Sequence, residues 1–225
     1  MAQYGIYNYK VVGDPRIDRV ISNAAEVAPI PIIRQFKASR KLLIIGSPHA
    51  KDLTIFFEAL SVIKTKDYHQ HWCFLIAPHE IEESNIQQIE IWSSAPTYRF
   101  SQLTNPIDFN KNGILLLNTI GLLSQAYQYA DAAFIGGGFG KSIHNILEPA
   151  AFGVPIIFGP NYHQFPEAVD LVTQKGAFSI QSAKEILTWF EALQVSEYSN
   201  QLGSVCKNYI WQNKGATQKI ISYFN

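Results

Sequence analysis

The sequence predicts an α/β fold built on a doubly wound parallel sheet, and three observations lead there. Short apolar runs recur along the chain and end in Gly, Pro or Asn; helical stretches alternate with them; and 47% of the 225 residues are hydrophobic against 16% charged. Strands at 42–46, 72–77, 114–118, 132–136 and 155–159 are near-continuous in apolar side chains rather than alternating. Strands of that kind are covered on both faces, as in a parallel sheet flanked by helices.

Between the strands, helices are expected at 52–64, 81–90, 121–130, 145–152 and 164–175. The βα alternation implies right-handed crossovers and places function at the carboxyl ends of the strands. A weak strand at 177–180 is followed by helices at 183–193, 197–211 and 216–224. Residues 1–40 read as a lead-in or hinge segment, with a strand at 9–12, a helix at 16–25 and a break at Pro29 and Pro31. The remaining 41–225 read as one domain.

Eighteen basic residues against eighteen acidic ones leave no net charge, which argues against nucleic acid as a partner. Cys73 and Cys206 are the two cysteines, no disulfide framework, as suits a reducing, cytoplasmic setting. Residues 1–10 lack the apolar stretch of a signal peptide. The uncharged runs 112–130 and 149–166 carry too many Asn, Gln, Gly and Pro residues for membrane helices.

The most informative stretch is 131–160, where a buried strand runs into Gly136, Gly137 and Gly138 and then a helix start. Glycine amides and a helix N-terminus make an anion site, and Lys141, Ser142, His144 and Asn145 stand beside it. Two named motifs fail: a P-loop would need Gly at position 135, which is Ile135, and a dinucleotide fingerprint would need Gly at 141, which is Lys141. A structural reading competes, because Asn145 and Glu148 have capping-box spacing and Pro149 suits a first helical turn. Ser47 and His49 follow the first strand, Pro78 and His79 the second, and Asn161, Tyr162 and His163 follow Gly159. Converging, these groups make a polar crevice at the sheet edge. His69, His71 and Cys73 lack a fourth ligand cluster, so no metal site is assigned and no cofactor is called for. No Gly-x-Ser-x-Gly elbow is present.

The run from Gly136 through His144, Asn145, Glu148 and Pro149 to Pro160 resembles the signature of 3-deoxy-D-manno-octulosonic acid (Kdo) transferases. Val12 to Arg19 looks like that family's entry into its C-terminal domain, Gly46-Ser47-Pro48-His49 like its small-Ser-x-His element, and Asn213-x-Gly215-Ala216 like its near-terminal motif. The resemblance implies the Rossmann-like C-terminal half of a GT-B glycosyltransferase, binding a CMP-Kdo donor whose Kdo passes to a lipid A precursor in lipopolysaccharide synthesis. It implies that Gly137, Gly138, His144 and Asn145 hold the phosphate and Glu148 the ribose hydroxyls. Ser47, His49, Pro78 and His79 would lie around the nucleotide, and Arg16 would reach the phosphate from the hinge side. The arginine that many members carry in the element around Pro78 is missing here.

The resemblance further implies that an acceptor-binding N-terminal domain, with the general base and any membrane contact, is absent from this chain. On that expectation the chain binds donor without transferring sugar, and the complete enzyme works at the cytoplasmic face of the inner membrane. Two alternatives keep the fold: a UDP-sugar transferase or epimerase domain, and a non-catalytic nucleotide-binding module acting with a partner chain.

Overall fold

The structure, a computed structural model, describes residues 9–104, 107–110 and 112–224; most of the 1–10 segment read above for a signal peptide lies outside the described residues. Strand β1 (Lys41–Gly46) shows how the sheet works, because Leu42 and Ile44 enter one core while Leu43 and Ile45 enter the other. Side chains alternate across a strand, so a run of consecutive apolar residues serves two cores at once. Each buried Leu or Ile there contributes about 1.5–3 kcal/mol relative to exposure.

β1 lies at the centre of a seven-stranded, all-parallel sheet. On one side stand β2 (Trp72–Ala77), β4 (Ile114–Leu116) and the edge strand β3 (Thr97–Arg99). On the other stand β5 (Ala132–Ile135), β6 (Ile156–Phe158) and β7 (Ala177–Ser179). The chain moves outward from β1 through β2 to the edge strand β3, steps back to β4 and then crosses to β5 on the opposite flank. This reversal opens a crevice at the carboxyl ends of β1 and β5, where Gly46 is in register with Ile135.

One face of the sheet carries α3 (Ala50–Ile63), α4 (Glu83–Ser93) and α8 (Ala183–Ala192). The other carries α1 (Pro15–Ala25), α2 (Pro31–Lys37), α6 (Leu147–Ala151), α7 (Pro166–Thr173) and most of α9 (Ser196–Gln212). α10 (Ala216–Ile221) closes the chain on α1, where Asp18 accepts the N–H of Gly215 at 2.5 Å and of Thr217 at 2.7 Å. Two motifs almost 200 residues apart thus form one staple, and the lead-in helix is part of the body.

Several expectations change. Residues 9–12 form no strand. Pro31 starts a helix instead of breaking one, since its missing amide falls at the first helical position. β3 is an added strand, half-buried and held by Arg99, whose guanidinium is bonded to Glu90 at 2.7 and 2.8 Å. The helix expected over 121–130 shrinks to α5 (Leu123–Ala126) and a 3₁₀ turn (Tyr127–Tyr129), which brings the buried Tyr127 hydroxyl against Gly46.

Candidate functional site at the carboxyl edge of the sheet

Three histidines on three different connections converge at this crevice. His49 caps α3 after β1, His79 follows β2, and His144 follows the glycine loop after β5. His49 Nε2 lies 3.1 Å from His144 Nε2, and His79 packs within 4.5 Å, centroid to centroid, of both other rings. His49 and His79 were legible in the sequence as residues at strand ends and His144 as a residue beside the glycine loop, and the fold makes them one cluster. His163 does not join, because its ring lies on Tyr162 at 4.2 Å.

The ligand atoms of His49, His79 and His144 lie within 4.8 Å of one another, close enough for a metal ion. The hydrogen bonding favours another use. His49 and Asp52 form a capping box in which the His49 ring faces the Asp52 N–H. His49 Nε2 and His144 Nε2 hydrogen-bond to each other, one ring donating and the other accepting according to their tautomers, so in this arrangement both atoms are already engaged. Burial, with His79 and His49 alongside, holds His144 below the usual imidazole value of 6.5, while Asp52 pulls the other way.

Next to the cluster lies a cavity of about 260 Å³ lined by Ser47, Tyr127, Ile135, His144, Asn145 and Glu148. Glu148 also lines a second cavity of about 290 Å³, with Val20, Asn23, Ser124, Gln125 and Phe152. Burial raises the Glu148 carboxyl above its ordinary value; Asn145, whose Nδ2 donates to Oε1 at 3.1 Å, and the charge of Arg19 both oppose that rise. Ser47 holds φ +52°, a left-handed conformation that a serine adopts at a cost of about 1 kcal/mol, at the mouth of the crevice. Pro78 lies on the far side of His49, in a groove of about 270 Å³ shared with Glu80 and Trp92.

The glycine loop behaves differently from expectation. Gly136, Gly137 and Gly138 are buried, and the Gly137 N–H donates to Asp52 Oδ2 at 2.9 Å. A Cβ on Gly138 would lie 2.6–2.9 Å from the Gly159 backbone, and one on Gly136 would strike Pro48. These residues are glycine so that two connections can pack backbone on backbone, and the loop's amides already serve an internal carboxylate. The Gly137 amide is thus given to Asp52, while Gly138 packs against the Gly159 backbone.

Three further expected site residues have these surroundings. Arg16 is engaged by Asp14, with Nε to Oδ2 at 2.8 Å, and by Glu167 at 3.0 Å, and Arg19 one turn later is the arginine whose charge reaches Glu148. Lys141 is exposed on the loop, outside the residues lining the cavity. Asn145 sits one residue before the cap: its Oδ1 accepts the Leu147 N–H at 3.0 Å, and Glu148 meets the Asn145 side chain rather than its backbone. With only five residues, α6 adds little helix dipole to the crevice. Arg19 and Asp52 were not singled out from the sequence. The segment resembling the domain entry contained Arg19, and the three-residue step from His49 to Asp52 was the available capping signal.

His69 and His71 belong to a 3₁₀ turn, and Cys73 is buried with its thiol pushed up to about 12.

The chain matches no protein-family model. It is 30% identical over 145 residues to a 3-deoxy-D-manno-octulosonic acid transferase of Chlamydophila psittaci, a match covering 64% of this chain and 32% of that protein. The corresponding transferase of Haemophilus influenzae is 26% identical over 190 residues, 83% of this chain and 44% of that one. The chain therefore spans less than half the length of these relatives. In structure it matches the C-terminal CMP-Kdo binding domain of WaaA from Acinetobacter baumannii with a TM-score of 0.68 at 22% identity, over 86% of this chain and 98% of that domain. By sequence the chain is similar to part of the length of Kdo transferases, and its all-parallel α/β fold is shared with the WaaA C-terminal domain.

Proposed function

We propose that the chain is the donor-binding domain of a Kdo transferase, taking CMP-Kdo at the carboxyl edge of β1 and β5. The observation that carries the reading is the sequence match to Kdo transferases in a chain that lays Ser47, His144, Asn145 and Glu148 around one cavity at the sheet's switch point. The ribose hydroxyls are donors and Glu148 is an acceptor, oriented by the Asn145 amide. The phosphate faces the imidazoles, and a proton shared within the cluster gives it a charge-assisted hydrogen bond.

Loss of CMP from the anomeric carbon leaves negative charge on the phosphate, and the cluster offsets that charge as it develops. Activating an acceptor hydroxyl needs a base on the opposite side of the sugar. We assign that base, the lipid A precursor and any contact at the cytoplasmic face of the inner membrane to a further domain. Among the described residues no helix is long and apolar enough to cross a membrane.

Calorimetry with CMP and UDP tests the donor. CMP should bind more tightly than UDP, and tighter UDP binding would turn the reading towards a UDP-sugar enzyme. Incubation with CMP-Kdo and a lipid A precursor should give no transfer by this chain alone; measurable transfer would overturn the division of labour.

A further inference from the structure

Asp52 is fully buried, and the donor reading gives it no part. Its carboxylate accepts three N–H groups from two connections: His49 at 2.8 Å and Gly137 at 2.9 Å on Oδ2, and Phe139 at 3.3 Å on Oδ1. The bonds to Gly137 and Phe139 span 85 and 87 residues of sequence. All three partners donate, so the side chain must accept in every case. A helix cap would need only the bond within α3; the other two fasten the β5 loop to the β1 turn.

From this geometry we infer that Asp52 is a positioning residue for donor binding: it holds the His49 and His144 connections in one register and keeps a negative charge behind their imidazole pair. The inference rests on the donor reading, since it concerns how the same site is set. His49 belongs to the turn whose N–H Asp52 accepts, and His144 follows the loop whose amides it accepts. Two rings on separate strands thus meet at 3.1 Å because one buried carboxylate binds both backbones. Other ionisable groups face the pair as well. His79 comes from the turn after β2, Glu148 from α6 across the cavity, Tyr127 from below Gly46, and Glu80 from the groove beside His49. Asp52 differs from them in touching both connections while being sealed from solvent.

A second consequence concerns the phosphate. Because Asp52 already takes the Gly137 and Phe139 amides, an incoming anion is met by side chains, and the loop needs no rearrangement to receive it. The loop is set before the donor arrives.

The test uses the whole chain and the variants Asp52→Asn and Asp52→Glu, with CMP as probe. In the ligand-free protein, NMR titration of the histidines should show the His144 midpoint lower in Asp52→Asn than in the native chain and partly restored in Asp52→Glu, a change that a purely structural cap would not produce. CMP binding should weaken roughly tenfold in Asp52→Asn, about 1.4 kcal/mol. A folded Asp52→Asn chain with native midpoint and native affinity would overturn the inference. Should the variants fail to fold, amide exchange in the native protein decides. Gly137 and Phe139 should already be protected without CMP, and fast exchange that slows only on adding CMP would refute the prior occupation by Asp52. The titration and the exchange need no ligand, so failure of the native chain to bind CMP would refute the donor reading while leaving Asp52 testable.

Discussion

The glycine loop and the histidine cluster lie side by side, and they reverse the roles that their sequences suggest. Gly136 to Gly138 have the look of a phosphate cradle, yet they are buried and packed on Pro48 and Gly159, with the Gly137 amide given to Asp52. His49, His79 and His144 have the look of separate loop residues, yet they form the half-open polar group beside the cavity. A glycine marks a place where backbone approaches closely, and the thing approached is as readily another backbone as a ligand.

That contrast can be broken first at the glycines, where the largest effect is expected. Gly138→Ala puts a methyl 2.6–2.9 Å from the Gly159 backbone, which has no side chain to move aside, so we expect a loss of about 3 kcal/mol, measured by denaturant unfolding. The same substitution in a loop that merely cradled a ligand would leave stability near native and weaken binding alone.

Next come the side chains. His144→Ala and Glu148→Ala should each weaken CMP binding by roughly 1.5–3 kcal/mol, the worth of a hydrogen bond to a charged group, with the fold retained. Lys141→Ala, on an exposed loop position, should change affinity by less than about 0.5 kcal/mol. Affinities of the three variants by calorimetry would separate cluster from loop.

A smaller effect concerns pH. His144 binds its proton less readily in the fold than in the unfolded chain. The unfolded state therefore takes up more protons between the depressed folded value and 6.5, and stability rises with pH across that window. Glu148 acts oppositely at lower pH. Its carboxyl is raised above 4.5 in the fold, so its contribution is present below that value and is lost as pH climbs through the raised one. The stabilities of the native chain and His144→Ala should diverge progressively as pH falls below 6.5, with the native slope the steeper in melts across that window.

A modest gain in stability is expected at Ser47. Its φ of +52° is relieved by glycine, so Ser47→Gly should stabilise the backbone by about 1 kcal/mol in a thermal melt.

How much was legible follows from burial. Strands such as β1 and β2 are buried at nearly every position and read directly as apolar runs, whereas β3 is half-exposed at an edge, and Thr97 to Arg99 carry no such pattern. α2 was hidden because Pro31 reads as a breaker unless its place at the helix start is known. At the site, residue types at strand ends were legible, but distances were not. No spacing in the chain states that His49 and His144, 95 residues apart, meet at 3.1 Å. Asp52 was hidden for a related reason, because three residues after His49 an acid looks like a helix starter, and its bonds to Gly137 and Phe139 exist only once β1 and β5 are neighbours.

The most direct measurement of the central claim is the CMP affinity of the native chain beside that of His144→Ala, in one buffer at pH 6.5. Saturable CMP binding by the native chain is expected, tighter than UDP binding and weaker by tenfold or more, at least about 1.4 kcal/mol, in the variant. Equal affinity for CMP in a folded His144→Ala chain would contradict it, and so would a native chain that prefers UDP.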